Sequence, residues 1–483
     1  MRVSLLPTLL IAPLVACTVG PDHERPTVVG MAGTWTAQPD VVSQQGNTID
    51  MEPWRAMGDP LLTELVERAA TANLDLAQAE ARLREARAMR DAVVGRQLPE
   101  IGAKASAARQ RVSENGQLPV ANIPGFDREY SLFDAGFDAS WEIDLWGGTR
   151  RAVEAAGKRA ELAEAQRREV QLRVVAEVVR TYAELRGAQA REATLRTEAK
   201  AQSTIAALVR QRFKAGEAAR FDDARAETQA RAAQAALPSA QARIRAAANG
   251  LALLTAQPPE ALLDRLLAPA PLPQPPALVT TGLRSDILQR RPDIAMAEAQ
   301  LAAATADVGV QTANLFPRLS LVGSFSQQSR TTDTLFSSGS TGFGIGPALH
   351  WPLFSGGRIR AQIRAAGARK DGAAAAYEQA VLSALADSET ALNRYAAALA
   401  SARELSIARD SSATALSLAQ QRYEAGEDDL IMFMDATSRF NNIARAADDA
   451  NIAALQAHAS LVKALGGGWK ASQSDASADM LPE

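Results

Sequence analysis

Four short stretches of this 483-residue chain alternate strictly between apolar and small or polar residues, and four strands are too few to close a membrane barrel. In the second stretch Phe133, Ala135, Phe137, Ala139 and Trp141 alternate with Asp134, Gly136, Asp138 and Ser140. The fourth sets Phe343, Ile345, Pro347, Leu349 and Trp351 against Gly342, Gly344, Gly346, Ala348 and His350. The third sets Leu319, Leu321, Gly323 and Phe325 against Ser320, Val322, Ser324 and Ser326; the first, Ile101 to Ala107, is weaker because its apolar members are mostly alanine. Each runs for about ten residues, the length a tilted strand needs to cross a bilayer. Period-two alternation sends the two sets to opposite faces. Phe133, Phe137, Trp141, Phe343, Ile345, Leu349 and Trp351 are therefore expected to face lipid, and Asp134, Asp138 and His350 a watery interior. An open edge in lipid leaves backbone groups unpaired at several kcal/mol each, so four strands per chain imply that several chains share one barrel. The same alternation also fits four half-buried strands of a soluble sheet.

The N-terminus favours export. Arg2 gives a positive start, and Leu5 to Val15 gives an apolar run, broken by Pro7 and Pro13, that is too short to span a bilayer and has the form of a secretory signal. It ends in Leu14-Val15-Ala16-Cys17, which resembles the bacterial lipobox, whose cysteine is acylated and becomes the first mature residue. Cys17 is the only cysteine, so the chain has no internal disulfide and its one thiol stands where anchor chemistry needs it. Several acyl chains, at about 0.8 kcal/mol per buried CH2, hold a protein durably on a membrane. Thr18 rather than aspartate follows, which in enteric-type sorting favours the outer membrane. Hydrophobic residues make up 47% of the chain, but much of this is alanine and no other run has the length of a membrane helix. A net charge of -3 supplies no basic footprint for nucleic acid.

The chain repeats itself. Leu74-Asp75-Leu76-Ala77-Gln78-Ala79-Glu80-Ala81 returns as Pro292-Asp293-Ile294-Ala295-Met296-Ala297-Glu298-Ala299, and Leu98-Pro99 returns as Phe316-Pro317. Gly147-Gly148 with Arg151-Ala152 returns as Gly356-Gly357 with Arg360-Ala361. Gln211-Arg212-Phe213-Lys214-Ala215-Gly216-Glu217 returns as Gln421-Arg422-Tyr423-Glu424-Ala425-Gly426-Glu427. The offsets cluster near roughly 210 to 218 residues, the mark of a duplicated half. Each half reads helix, strand, strand, long helix, helix, which divides the chain into a signal (1–16), an extended segment (17–60), a first repeat (61–257), a Pro-rich linker (258–282), a second repeat (283–465) and a tail (466–483).

The long segments, Thr149 to Lys214 and Arg358 to Ala425, contain no proline. At about 1.5 Å per residue such a helix reaches on the order of 100 Å. Leu172, Val175, Val179 and Tyr182 follow a 3-4-3 spacing, and Leu385, Leu392 and Leu399 recur at every seventh position. Narrow seams of this kind predict coiled-coil-like side-by-side packing. Gly216 and Gly426 break the helices at matching places, each followed by acids: Glu217, Asp222 and Asp223 in one turn, Glu427, Asp428, Asp429 and Asp435 in the other. Helix capping explains acids in these positions. At the end of a symmetric tube they would instead form carboxylate rings that hold cations and gate a pore.

Together these motifs resemble the TolC-like outer-membrane factors, in particular the NodT-type efflux lipoproteins. The resemblance covers nearly the whole mature chain and is carried by Cys17-Thr18-Val19-Gly20-Pro21-Asp22-His23-Glu24-Arg25-Pro26, with His23 where tyrosine is usual. It continues through Asn73-Leu74-Asp75, Arg82-Leu83-Arg84-Glu85-Ala86-Arg87, Trp141-Glu142-Ile143-Asp144-Leu145-Trp146-Gly147 and Arg290-Arg291-Pro292-Asp293-Ile294. Trp351-Pro352-Leu353-Phe354-Ser355-Gly356-Gly357-Arg358 and Ala464-Leu465-Gly466-Gly467-Gly468-Trp469 complete it, while Gly148 stands where arginine is common.

The resemblance implies a mainly α fold with a membrane β-barrel portion. Three chains in a homotrimer would give four strands each to a shared twelve-stranded barrel, continued by a long periplasmic α-helical barrel. It implies a passive efflux duct, lipid-anchored in the Gram-negative outer membrane, that works with a periplasmic adaptor protein and an inner-membrane pump of the RND type. By position it makes Asp222 and Tyr423 the residues that tie neighbouring helices shut, and Asp435 the aspartate of the helix after the second turn. Met432 stands where some members carry another aspartate, a role that Asp428 and Asp429 are placed to take over. An enzyme is not expected: the only histidines are His23, His350 and His458, and no metal spacing, phosphate loop or nucleophile motif is present, so no cofactor is expected either. The rival reading is a periplasmic coiled-coil adaptor or structural lipoprotein that spans no membrane, which has no need of a Phe-Ala-Phe-Ala-Trp face.

Overall fold

The computed structural model describes residues 18–26, 35–36, 42–43, 52–113, 127–280 and 284–467. Cys17, the signal 1–16, half of the segment 17–60, and the tail from Gly468 onward lie outside the described residues. The elements run α1 (Pro60–Ala72), α2 (Leu74–Val94), β1 (Glu100–Arg111), β2 (Glu129–Ile143), α3 (Gly148–Lys214), α4 (Arg220–Leu254) and α5 (Glu260–Leu267). They continue as α6 (Pro292–Ala313), β3 (Arg318–Ser329), β4 (Thr341–His350), α7 (Arg358–Glu424) and α8 (Leu430–Ala464). The duplication is visible in the lengths: α3 and α7 each have 67 residues, α4 and α8 each have 35, and β1 and β3 each have 12. Among the described residues no helix is long and apolar enough to cross a membrane.

The chain forms two compact units. The first takes residues 18–26, 83–162 and 297–377 of the described chain and holds the sheet. Its strands are antiparallel in the order β1-β2-β3-β4, so the two hairpins of the two halves lie side by side. Gly136 is needed where β2 meets β3, since a Cβ there would lie 2.2 Å from the Phe325 carbonyl oxygen.

The second unit takes residues 35–82, 163–296 and 378–467 of the described chain. Its core collects Leu62, Leu65 and Val66 of α1, Val175, Val178, Val179 and Tyr182 of α3, Ile244 and Leu251 of α4, Leu266 of α5 and Leu455 of α8. Full burial of each leucine here contributes about 1.5–3 kcal/mol relative to exposure. The predicted seams are buried: Leu172, Val175, Val179 and Tyr182 on α3, and Leu385 and Leu392 on α7, with Leu399 half-buried. Asp59 caps α1, accepting from the Leu61 amide at 2.9 Å, and takes the Tyr182 hydroxyl on its other oxygen.

The Pro-rich stretch 258–282, expected to be a plain linker, contains α5, whose Leu262 and Leu266 are buried. Pro258-Pro259 and Pro269 bracket a nine-residue run without proline, and the spacing of its leucines gives it one apolar face. The repeats also close in the same way. The Asn73 side chain donates to the Leu254 carbonyl at the end of α4 (2.8 Å), and Arg291, its counterpart, donates to the Ala464 carbonyl at the end of α8 (3.0 Å). Each satisfies a terminal carbonyl that the helix itself cannot.

Candidate functional site

In the first unit the strand register sorts the side chains of the sheet into two faces. Phe137 pairs with Ala103 and Phe325, and Phe325 with Phe343; Ala139 pairs with Ile101 and Gly323, and Gly323 with Ile345. Phe133, Trp141 and Leu349 fall on this same face by parity. Phe137, Phe343, Ile345 and Leu349 are 56%, 82%, 76% and 68% exposed, so a broad apolar surface is uncovered on one chain. Trp351 is one residue past β4 and is exposed as well. Two tryptophans at the bases of the strands make equivalent bonds in the two halves. Trp141 Nε1 donates to the Gln97 carbonyl (2.9 Å), and Trp351 Nε1 to the Leu315 carbonyl (3.1 Å). A ring with an apolar body and one satisfied polar tip suits a membrane interface.

The opposite face carries Asp134, Asp138 and His350, as expected, together with Lys104, Ser324, Ser326 and a run of glycines in β4. Asp134 accepts from Gln328 at 3.3 Å, and Lys104 stands 3.9 Å from Asp138. Among the described residues β1 and β4 are each paired on one side only, so this sheet has two open edges.

The residues after Cys17 are strapped onto the same unit. The Val19 amide donates to the Trp146 carbonyl at 3.1 Å, at the corner between β2 and α3. Buried Arg151 on α3 donates to Asp22 (2.6 Å), Glu154 (2.8 Å) and the Val19 carbonyl (3.3 Å). Arg25 grips Glu298 of α6 through two bonds of 2.7 Å.

The two helix turns belong to the second unit and are built alike. Gly216 and Gly426 adopt φ of +79° and +76°, and the amides of Glu217 and Glu427 reach back to the carbonyls of Arg212 and Arg422 at 2.8 and 2.9 Å. This is a Schellman closure, which needs the left-handed residue that glycine supplies. Asp222, Asp428, Asp429 and Asp435 each have a partner within the chain. Asp429 caps α8 by accepting from the Met432 amide (2.9 Å), and Asp222 accepts from the Ala219 amide (3.3 Å) at the start of α4. Asp428 pairs with Arg422 at 2.7 and 2.9 Å, which holds its carboxyl below the usual range, and Asp435 pairs with Arg439 at 2.8 Å.

Asp222 and Tyr423 do not bond to each other within one chain. The Tyr423 hydroxyl accepts from Arg212 Nη1 at 2.6 Å, and its ring stacks on Phe433 with centroids 5.4 Å apart. A phenol that accepts in this way still has its own hydrogen to donate. Arg212 and Arg151 were not singled out from the sequence. Both stand in repeated motifs, Gln-Arg-aromatic for Arg212 and Arg-Ala for Arg151, and that recurrence is the signal that marks them.

Comparison with known proteins agrees with this geometry. The family model described as outer membrane efflux protein matches residues 65–257 and 283–467, and the stretch it leaves between them is the Pro-rich one. The chain is 31% identical over 463 residues to the pyoverdine export outer membrane protein OpmQ of Pseudomonas putida, covering 96% of this chain and 98% of that one. It is 33% identical over 467 residues to the outer membrane protein OprJ of Pseudomonas aeruginosa, covering 95% of each. The solved structure of the outer-membrane channel OprN superposes with a TM-score of 0.84 at 34% identity, covering 94% of this chain and 100% of that one. The chain therefore belongs to the outer membrane efflux protein family, and it is an outer-membrane channel component of an efflux system.

Proposed function

We propose that three copies of this channel close one twelve-stranded barrel, four strands from each, and form the passive exit duct of a tripartite efflux system. One observation carries this reading: a four-stranded sheet with one apolar exposed face, one polar face and two unpaired edges. Unpaired edges are not tolerated in lipid, and pairing β4 of one copy with β1 of the next removes every one of them. Phe133, Phe137, Trp141, Phe343, Ile345, Leu349 and Trp351 then meet lipid.

In the same reading residues 1–16 are a signal, Cys17 carries the lipid, 61–257 and 283–465 are the two repeats, and 258–282 joins them. The strap from Val19 to Arg25 supports an anchor at Cys17, because it fixes the following residues at the strand-to-helix corner. The helix turns are the periplasmic gate, with the Tyr423 hydroxyl donating to Asp222 of a neighbouring copy and Asp428, Asp429 and Asp435 ringing the entrance. A periplasmic adaptor and an RND-type inner-membrane pump deliver the cargo, and the duct itself performs no catalysis.

Extraction of the full chain from outer membranes in mild detergent tests the reading. It predicts a trimer that runs more slowly on a gel before heating than the single chain released by heating, and discrete conductance steps in a planar bilayer. A monomer that forms no channel would exclude it. For the gate, Asp222→Ala with Tyr423→Phe should raise single-channel conductance; unchanged conductance would return both residues to capping and packing.

A further inference from the structure

The face of the sheet that carries the aromatics changes character along its length. From the helix-joined end it presents Ile143, Leu319 and Leu349, then Trp141 and Leu321, then Phe137, Phe325 and Phe343, and then Phe133 with Ala107. No charged residue interrupts it along any of the four strands until the last two rows, where Ser131 lies opposite Arg109 and Glu129 opposite Arg111. Those rows are at the end away from the helices, beside the connections after β1 and β3. The Arg109 and Arg111 side chains are 76% and 67% exposed. They flank one carboxylate: Arg111 Nη1 is 3.2 Å and Arg109 Nη2 3.9 Å from Glu129. Two guanidinium groups against one acid leave a net positive charge, and each guanidinium has five donors, most of them directed elsewhere than Glu129.

From this placement we propose that Arg109 and Arg111 form a binding site for the phosphate groups of the phosphorylated glycolipid of the outer leaflet. The proposal rests on the reading that the aromatic face meets lipid. The uncharged rows from Ile143 to Phe133 cover ten residue steps, about 33 Å along a strand and about 25 Å once the strand is tilted, the height of a barrel's apolar band. The helices occupy the periplasmic side, so the arginine rows emerge at the outer headgroup level. Planar guanidinium groups bind phosphate oxygens bidentately, which distinguishes a phosphorylated sugar at this depth from a neutral one. Glu129 holds the two guanidinium groups side by side.

Lipid retention by the purified full-chain assembly tests this. The assembly is incubated with bis-phosphorylated lipid A, with the same lipid after removal of both phosphates, or with phosphatidylglycerol, and bound lipid is counted by native mass spectrometry. The expected result is retention of bis-phosphorylated lipid A and about tenfold less of the dephosphorylated form, the equivalent of losing one charge-assisted hydrogen bond. That comparison uses the wild-type chain and needs no variant to fold. Arg109→Gln with Arg111→Gln should bring the two lipids to equal, low retention. Equal retention of both lipids by the wild type, or retention of phosphatidylglycerol as strong as that of lipid A, overturns the proposal. A cysteine at position 137 separates this failure from failure of the underlying reading. If it stays protected from a water-soluble maleimide while lipid A is not held, only the arginine site falls; if it labels, the lipid-facing assignment falls with it.

Discussion

Arg212 and Tyr423 join the two helix turns of the second unit: the guanidinium donates to the phenol oxygen at 2.6 Å and lies 5.0 Å from the ring centroid. The contact links the two halves of the duplicated chain at equivalent ends, since Arg212 precedes Gly216 and Tyr423 precedes Gly426. Tyr423 is buried against Phe433 while Arg212 is exposed, so the bond is only partly shielded from water. Tyr423→Phe should lower unfolding stability by about 1.5 kcal/mol, the low end for a hydrogen bond to a charged group. Chemical denaturation of the full chain checks this, and no change would mean that the bond does not form in solution.

Phe137 lies in the middle row of the apolar face. Phe137→Arg should cost about 2–4 kcal/mol if that row is near the bilayer midplane. The measurement is the yield of heat-modifiable oligomer in outer membranes. Wild-type yield would remove Phe137 from the lipid face.

Gly136 has no room for a side chain beside the Phe325 carbonyl. Gly136→Ala should therefore destabilise the sheet by about 1–3 kcal/mol, as overpacking generally does. Reduced oligomer yield together with a lower melting temperature is the expected outcome, whereas Gly346→Ala, with nothing within 4 Å of its Cβ position, should be tolerated.

His458 on α8 is buried beside Tyr395, and burial pulls its imidazole down to about 4 from an ordinary value of 6.5. The folded chain favours the neutral ring, while the unfolded chain takes up a proton below pH 6.5. The stabilisation is therefore complete above pH 6.5 and is lost as pH falls towards 4, a difference of about 3 kcal/mol per chain. Melting temperatures measured across that range should fall with acid, and His458→Gln should flatten the decline.

The elements that repeat a short pattern were legible in the sequence. Phe133 to Trp141 and Phe343 to Leu349 alternate because a pleated strand has period two, and the register confirms their shared face. The helix breaks at Gly216 and Gly426 were legible because a left-handed closure selects glycine. Contacts between distant segments were not legible. Asn73 on the end of α4, Arg151 on Asp22 and Arg212 on Tyr423 depend on which segments become neighbours, and nothing local to those residues states it. The turn acids show the reverse. Their pattern admits both helix capping and carboxylate rings, and within one chain Asp429 caps α8 while Asp428 and Asp435 pair with arginines, because an acid near a helix start meets the backbone and its local neighbours first.

The most direct test of a barrel wall built from these strands is cysteine labelling along β2 in intact outer membranes. With the chain's own cysteine, Cys17, replaced, single cysteines at positions 133 to 140 report one site each. A membrane-impermeant, water-soluble maleimide entering through the pore should label positions 134, 136, 138 and 140 and leave 133, 135, 137 and 139 unreacted. Equal labelling of both sets, or labelling of the aromatic set alone, would contradict the account.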